Sequence, residues 1–291
     1  MFEEMRTRDF VRWMFFGILI AAFALVQLSP NPLILDVGIQ LTFYVIVPVL
    51  YFGRQFQKQQ VPLSRVVFLK GASRWLLPLA GLVTLSTFFS MAMLWLQLRV
   101  LMPVAPWMVD SLLERAPFPD NTAYLITVSL IVAVIGPIAE EFMFRGLLLK
   151  RLISKTSMWE GIGTSSLLFG MLHMDFFGAF LFGVTASILY LLTDNLLIPI
   201  LLHIFYNSLV VGLMFISPGW PEWLTVMESA DIYTKAVPNA IVLFVTSILI
   251  FAVILRLAQS LNKKKEEEKY QAFLKKQREA LQNKPDHPEM P

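Results

Sequence analysis

The stretch "YLITVSLIVAVIGPIAEEFMFRGLLL", residues 124–149, sets two adjacent glutamates and an arginine inside an apolar run. Charge at such a depth is costly, and ionisable side chains kept there face a cavity or one another. Glu140, Glu141 and Arg145 are joined later in the chain by His173 in "FGMLH" and by His203 and Asn207 in "HIFYN". Glu141 and Arg145 are four residues apart with the acid first, the favourable order for an ion pair on one helix face. Glu140 is turned by about 100° from Glu141 at 3.6 residues per turn, so Glu141 is expected to neutralise the arginine and Glu140 to remain the free carboxylate. His203 and Asn207 repeat the four-residue spacing, as do Phe169 and His173.

A carboxylate, two imidazoles and a carboxamide suit amide hydrolysis. Glu140 and His173 can hold a water between them, one of them taking its proton. His203 and Asn207 can then donate hydrogen bonds to the oxyanion that forms on the attacked carbonyl. The same residues allow a metal reading: His173, His203 and Glu140 can hold zinc and leave a fourth position for water. The H-E-x-x-H helix of common zinc proteases is absent, and without cysteine there are no thiolate sites or disulfides. Bland readings compete. Glu140, Glu141 and Arg145 can form an ion cluster that joins helices, and a membrane histidine can be a hydrogen-bonded packing residue. A proton relay in a transporter would use the same groups, but the two halves of the chain show no internal repeat.

The elements that must position these residues follow from composition. The 291 residues are 56% hydrophobic and 15% charged, and mean hydropathy is +0.64. A soluble domain has about 25% charged residues, so the expected fold is all-α, a polytopic membrane bundle of about eight transmembrane helices with a conical polar cavity. A span needs roughly 20 apolar residues. The candidates lie near 11–28, 33–52, 76–98, 123–149, 158–173, 176–193, 196–216 and 237–258. The first is read as a retained span because no small-residue cleavage site follows it. Residues 1–261 form the expected bundle. Residues 262–291 form a charged tail, helical and then disordered, with the helix lying on acidic lipid or docking a partner; His287 receives no chemical role.

Basic residues gather on the side shared by both termini. Only Arg99, Arg115 and Lys235 fall on the other, which places both termini in the cytoplasm. Pro137 and Pro199 precede the polar positions and free backbone carbonyls, which suggests a hydrated cavity. Ala179, Gly183 and Ser187 form a seam of small residues for close helix packing. At about 1.5 Å per residue, Glu140 lies roughly 15 Å from Lys150 and His203 roughly 12 Å from Asn195. By the same rise, His173 lies roughly 22 Å from Met158, too deep to meet them unless the fifth helix tilts.

The three stretches "EEFMFR", "FGMLH" and "HIFYN" resemble E-E-x-x-x-R, F-x-x-x-H and H-x-x-x-N. These are the signatures of the CPBP family, which includes type II CAAX prenyl endopeptidases and bacteriocin-processing or self-immunity (Abi) proteins. The resemblance covers residues 138–207. It implies an intramembrane endopeptidase acting near the cytoplasmic side, with Glu140 and His173 activating water, His203 and Asn207 stabilising the oxyanion, and Glu141, Arg145 and Phe169 supporting them. It leaves open a metal-free or a zinc mechanism, the former preferred, and does not carry prenyl-protein specificity. The implied partners are the lipid bilayer and a membrane-associated protein or peptide substrate, with no nucleic acid. The alternative within the resemblance is a non-catalytic immunity or scaffold protein that binds a peptide through the same residues.

Overall fold

In lipid the backbone must satisfy its own hydrogen bonds, so apolar runs of this length become helices. The computed structural model describes residues 2–29, 31–114, 119–216 and 219–282. Arg115, His287 and the tail from 283 onward, expected to be disordered, lie outside the described residues. The helices are α1 (Thr7–Leu28), α2 (Pro32–Gln59), α3 (Ser73–Leu101), α4 (Thr122–Ile153), α5 (Met158–Gly170), α6 (Phe176–Thr193), α7 (Leu197–Ile216) and α8 (Ala236–Gln282). Among the described residues there is no strand.

Seven of these, all but α5, are long and apolar enough to cross a membrane. The eighth span expected at 158–173 is a 13-residue helix, about 20 Å long at 1.5 Å per residue. It ends where Gly170 meets the Phe176 backbone and the chain turns back through His173, whose N–H bonds Gly170 O at 3.0 Å. The turn also removes the depth mismatch. Helix α4 continues to Ile153, so Glu140 is about 20 Å from its end and Gly170 about 18 Å from the start of α5, by the same rise.

Helices α2, α4 and α5 begin on polar caps. Asn31 accepts from Leu33 N–H, Asn121 from Tyr124 N–H, and Ser157 and Glu160 make a reciprocal capping box. Such caps satisfy N–H groups that a helix leaves unpaired at its start. The expected small-residue seam is real: a Cβ on Gly183 would lie 3.0 Å from Ser166 Cβ, so α5 and α6 pack in close contact. Helix α6 also packs on α3, α7 and α8, while α7 lies along the middle of α4. On α1, Phe15, Phe16, Ile20 and Phe23 are exposed, as expected of a face turned to lipid.

One end of the bundle is tied by polar contacts. Arg151 Nη1 donates to Glu3 O at 2.7 Å. Lys264 pairs with Asp194 and donates to Leu191 O and Leu192 O. Buried Asn195 donates to Phe68 O at 2.7 Å and accepts from Phe68 N–H at 3.2 Å and Leu197 N–H at 3.0 Å. Residues near the N-terminus, after α2, after α4, between α6 and α7 and late in α8 therefore share this end. Residues 262–282 continue α8 without a break, and Tyr270 and Phe273 on that extension are exposed.

Asn195→Ala removes all three of its hydrogen bonds and strands the Phe68 amide and carbonyl. The expected loss is about 2–3 kcal/mol, read as a lowered melting temperature of the detergent-solubilised chain.

Candidate active site

The polar residues picked from the sequence come together from α4, the α5–α6 turn and α7. Glu141 is the centre. Its Oε1 accepts from Arg145 Nη1 at 2.9 Å and from His203 Nδ1 at 2.8 Å, and all three side chains are at most 3% exposed. Glu141 is thus the arginine's partner, as the spacing predicted, and it also holds His203. A carboxylate only accepts, so His203 Nδ1 carries a proton. His203 Nε2 points toward Glu140, 3.9 Å from its Oε2.

Phe169 closes this group from above and explains the F-x-x-x-H spacing in physical terms. The Arg145 guanidinium lies 4.3 Å from its ring centroid, a cation–π contact of a desolvated kind. The His173 ring is tilted over the same phenyl at 4.4 Å, and the His203 ring meets it edge-on at 5.7 Å. The Phe169 carbonyl accepts from His173 Nδ1 at 2.7 Å. That bond fixes the tautomer: Nδ1 holds the proton and Nε2 is left as an acceptor.

Asn207 is set by a break in α4. Residues Ile131–Ile135 form a π turn in which Gly136 N–H bonds Ile131 O, five residues back. In that register Val132 O would accept from residue 137, but Pro137 has no N–H. Val132 O accepts from Asn207 Nδ2 instead, at 2.9 Å. The carbonyl that Pro137 was expected to free is thus that of Val132, and it anchors the α7 asparagine.

Glu140, His173 and Asn207 line one cavity of about 740 Å³. The lining is mixed: Thr7 of α1 and Gln40 and Tyr44 of α2 add polar groups, and Phe10 and Met14 of α1, Phe43 of α2, Met143, Phe144 and Leu147 of α4, and Leu172 supply apolar surface. His203 lies in a second cavity of about 130 Å³ behind it, and His173 and Asn207 border both. The zinc reading fits less well. Among the described residues no group of three or more His, Asp or Glu side chains is arranged to hold a metal, and His203 Nδ1 is committed to Glu141. No step below passes through a metal.

The small cavity contains residues that the sequence did not single out. Asp175, at the start of α6, accepts from the Ser90 hydroxyl of α3 and from Gly178 N–H at 3.0 Å. A Cβ on Gly178 would collide with both the Asp175 carboxylate and the Ser90 hydroxyl, so a glycine is required there. Tyr44 of α2, which lines the large cavity with Glu140, was missed as well. Neither residue belongs to a charged i,i+4 pair, which was the signal that revealed the others.

Arg145→Met leaves Glu141 buried without its cation. It is expected to cost about 3–5 kcal/mol, seen as a large drop in melting temperature. Glu140→Gln, which touches none of the Glu141 bonds, is expected to leave the melting temperature within about 1 °C, since substitutions away from such networks stay within about 0.5 kcal/mol.

Comparison with known proteins converges on the same segment. Residues 122–209 match the family model of the type II CAAX prenyl endopeptidase Rce1-like proteins. A Bacillus subtilis protein named as a membrane peptidase, YdiL, is 33% identical over 85 residues, 28% of this chain and 35% of the relative. An uncharacterised 24.3 kDa protein of Escherichia coli is 30% identical over 122 residues, 39% of this chain and 53% of the relative. The membrane-embedded CAAX protease MroQ of Staphylococcus aureus is 31% identical over 99 residues, 30% of this chain and 39% of the relative. The matched part thus spans between about a third and a half of the curated relatives' length. No solved structure is a significant match. The segment that holds all three motifs is thus similar to the Rce1-like, type II CAAX prenyl endopeptidase family.

Proposed function

We propose that this integral membrane protein is an intramembrane endopeptidase that hydrolyses peptide bonds with a water activated by Glu140 and His173. The observation that carries the reading is the single cavity among membrane-long helices where Glu140, His173 and Asn207 meet. A water bound there has two O–H groups to donate. The Glu140 carboxylate and the His173 Nε2 lone pair, left free by the Nδ1 bond to Phe169 O, are the two acceptors. The water oxygen attacks the peptide carbonyl carbon as one proton passes to Glu140. The carbonyl π pair moves to oxygen, and Asn207 and His203 donate to the resulting oxyanion. With Nδ1 committed to Glu141, His203 donates from Nε2 as the imidazolium. With Glu140 protonated at that stage, Glu141, Arg145, His203 and the oxyanion sum to zero charge. When the C–N bond breaks, the amine nitrogen takes the proton from Glu140 and leaves.

Apolar walls favour substrates with apolar residues beside the scissile bond, presented by a membrane-associated protein or peptide. The family match supports peptidase chemistry in general, and MroQ is named as a CAAX protease; prenylation of the substrate is not part of the proposal. Basic residues at the end shared by Glu3, Arg151 and Lys264 support cytoplasmic termini and a site that opens toward that side.

In detergent or proteoliposomes, Glu140→Gln is expected to lower cleavage of an apolar peptide library by at least about 100-fold. Asn207→Ala is expected to lower kcat by about 100-fold. Equal cleavage by wild type and Glu140→Gln would reject the site, and full complementation of a knockout by Glu140→Gln would favour peptide binding without turnover. Metal content below stoichiometry and insensitivity to chelators are expected; stoichiometric zinc that leaves together with activity in His173→Ala would reverse the metal-free assignment. The chain has no cysteine, so Glu4→Cys and Glu222→Cys report orientation cleanly. The Glu4→Cys variant is expected to react with an impermeant thiol reagent only from the cytoplasmic face, and the Glu222→Cys variant only from the other.

A further inference from the structure

Glu140 has one buried oxygen, Oε2, without a hydrogen-bond partner among the described residues. The nearest motif donor, His203 Nε2, stands 3.9 Å away, beyond hydrogen-bond range. A carboxylate with few donors in a low-dielectric site is costly and rotates freely between orientations. A phenol from outside the motifs, that of Tyr44, lines the same cavity as Glu140. Tyr44 belongs to α2, outside the segment matched by the family.

The backbone of α2 explains how a residue so distant in sequence arrives there. Residues Thr42–Ile46 form a π turn, with Val47 N–H bonding Thr42 O. The next carbonyl in that register, of Phe43, faces Pro48, which has no N–H. The pattern repeats that of α4, where the π turn Ile131–Ile135 precedes Gly136 and Pro137. The two π turns pack against each other. The Tyr44 ring lies beside Gly136, 3.6 Å from where a Cβ would stand, and Gly136 is one helical turn before Glu140. An extra residue in a turn redirects the side chains that follow. Here it aims the phenol along α4 into the cavity that Tyr44 shares with Glu140, His173 and Asn207.

We propose that Tyr44 is a positioning residue for Glu140: its hydroxyl donates to the carboxylate and holds one oxygen toward the cavity. A phenol suits the task because it donates without bringing a second charge into the cluster. The bond itself does not depend on the hydrolytic reading above, whereas its effect on turnover rests on it.

The test compares the full-length wild type, Tyr44→Phe, Glu140→Gln and the double variant in detergent. The Glu140 carboxyl band is assigned in infrared difference spectra by its loss in Glu140→Gln. Tyr44→Phe is expected to melt as wild type does and to shift that band in the direction of a weaker hydrogen bond. With a peptide that the wild type cleaves, kcat is expected to fall about 10–100-fold, the value of one charge-assisted hydrogen bond, with KM within about twofold. The double variant is expected to be no slower than Glu140→Gln. An unmoved band overturns the proposal, as does a loss carried by KM alone, which would make Tyr44 a wall of the cavity. If Tyr44→Phe fails to fold, Tyr44→Gln carries the test: a neutral N–H donor is expected to return the band toward its wild-type position, and a band displaced to no donor-bound position counts against the idea. If the wild type cleaves nothing, the hydrolytic reading fails and the infrared shift alone decides the role of Tyr44.

Discussion

The structure depends on one carboxylate oxygen. Glu141 Oε1 receives the guanidinium of its own helix and the imidazole of α7 at once. Three fully desolvated polar side chains are thereby held in one arrangement, and breaking any link would strand a charge in a medium that cannot solvate it. The cluster ties α4 to α7 at mid-membrane depth and fixes which His203 nitrogen faces Glu140. The structural reading of these charges and the catalytic one are not rivals. Glu141 and Arg145 serve as the bolt, and Glu140 is left over beside it.

Aromatic packing supplies the second constraint. Phe169 touches Arg145 through its face, His173 through stacking and His203 through its edge, while its carbonyl sets the His173 tautomer. One residue thus couples the ion cluster to the turn between α5 and α6. Phe182 adds a second ring beside His203 at 5.0 Å. Such packing restricts side chains that would otherwise move about in a cavity, and a preorganised site is what transition-state stabilisation requires.

The backbone makes room for the chemistry. Prolines in α2 and α4 each follow a π turn, and each leaves a carbonyl that cannot be satisfied within its own helix. In α4 that carbonyl is taken by Asn207. Each irregular turn borders the cavity, through Phe43 and Tyr44 in α2 and Val132 in α4, and broken helices in membranes are tolerated where they line such a space. The tight α5–α6 hairpin completes the arrangement. Its short first helix and the Gly178 contact with Asp175 and Ser90 lock the His173 turn against α3.

Much of this was legible in the residues themselves. Hydropathy determined the helical class and most of the spans, because a lipid environment leaves an apolar chain few alternatives. The four-residue spacings determined that Glu141 pairs with Arg145, a contact within one helix that needs no knowledge of the others. The three motifs also pointed to the family whose model matches residues 122–209. The shortness of α5 was not legible, since an apolar run does not reveal that a turn at Gly170 will fold it back. Nor could spacing reveal that His203 bonds Glu141, that Asp175 meets Ser90, or that Tyr44 shares a cavity with Glu140. Those contacts join different helices, and their geometry depends on tilt, depth and the extra residue in each π turn, quantities that are settled only when the helices pack.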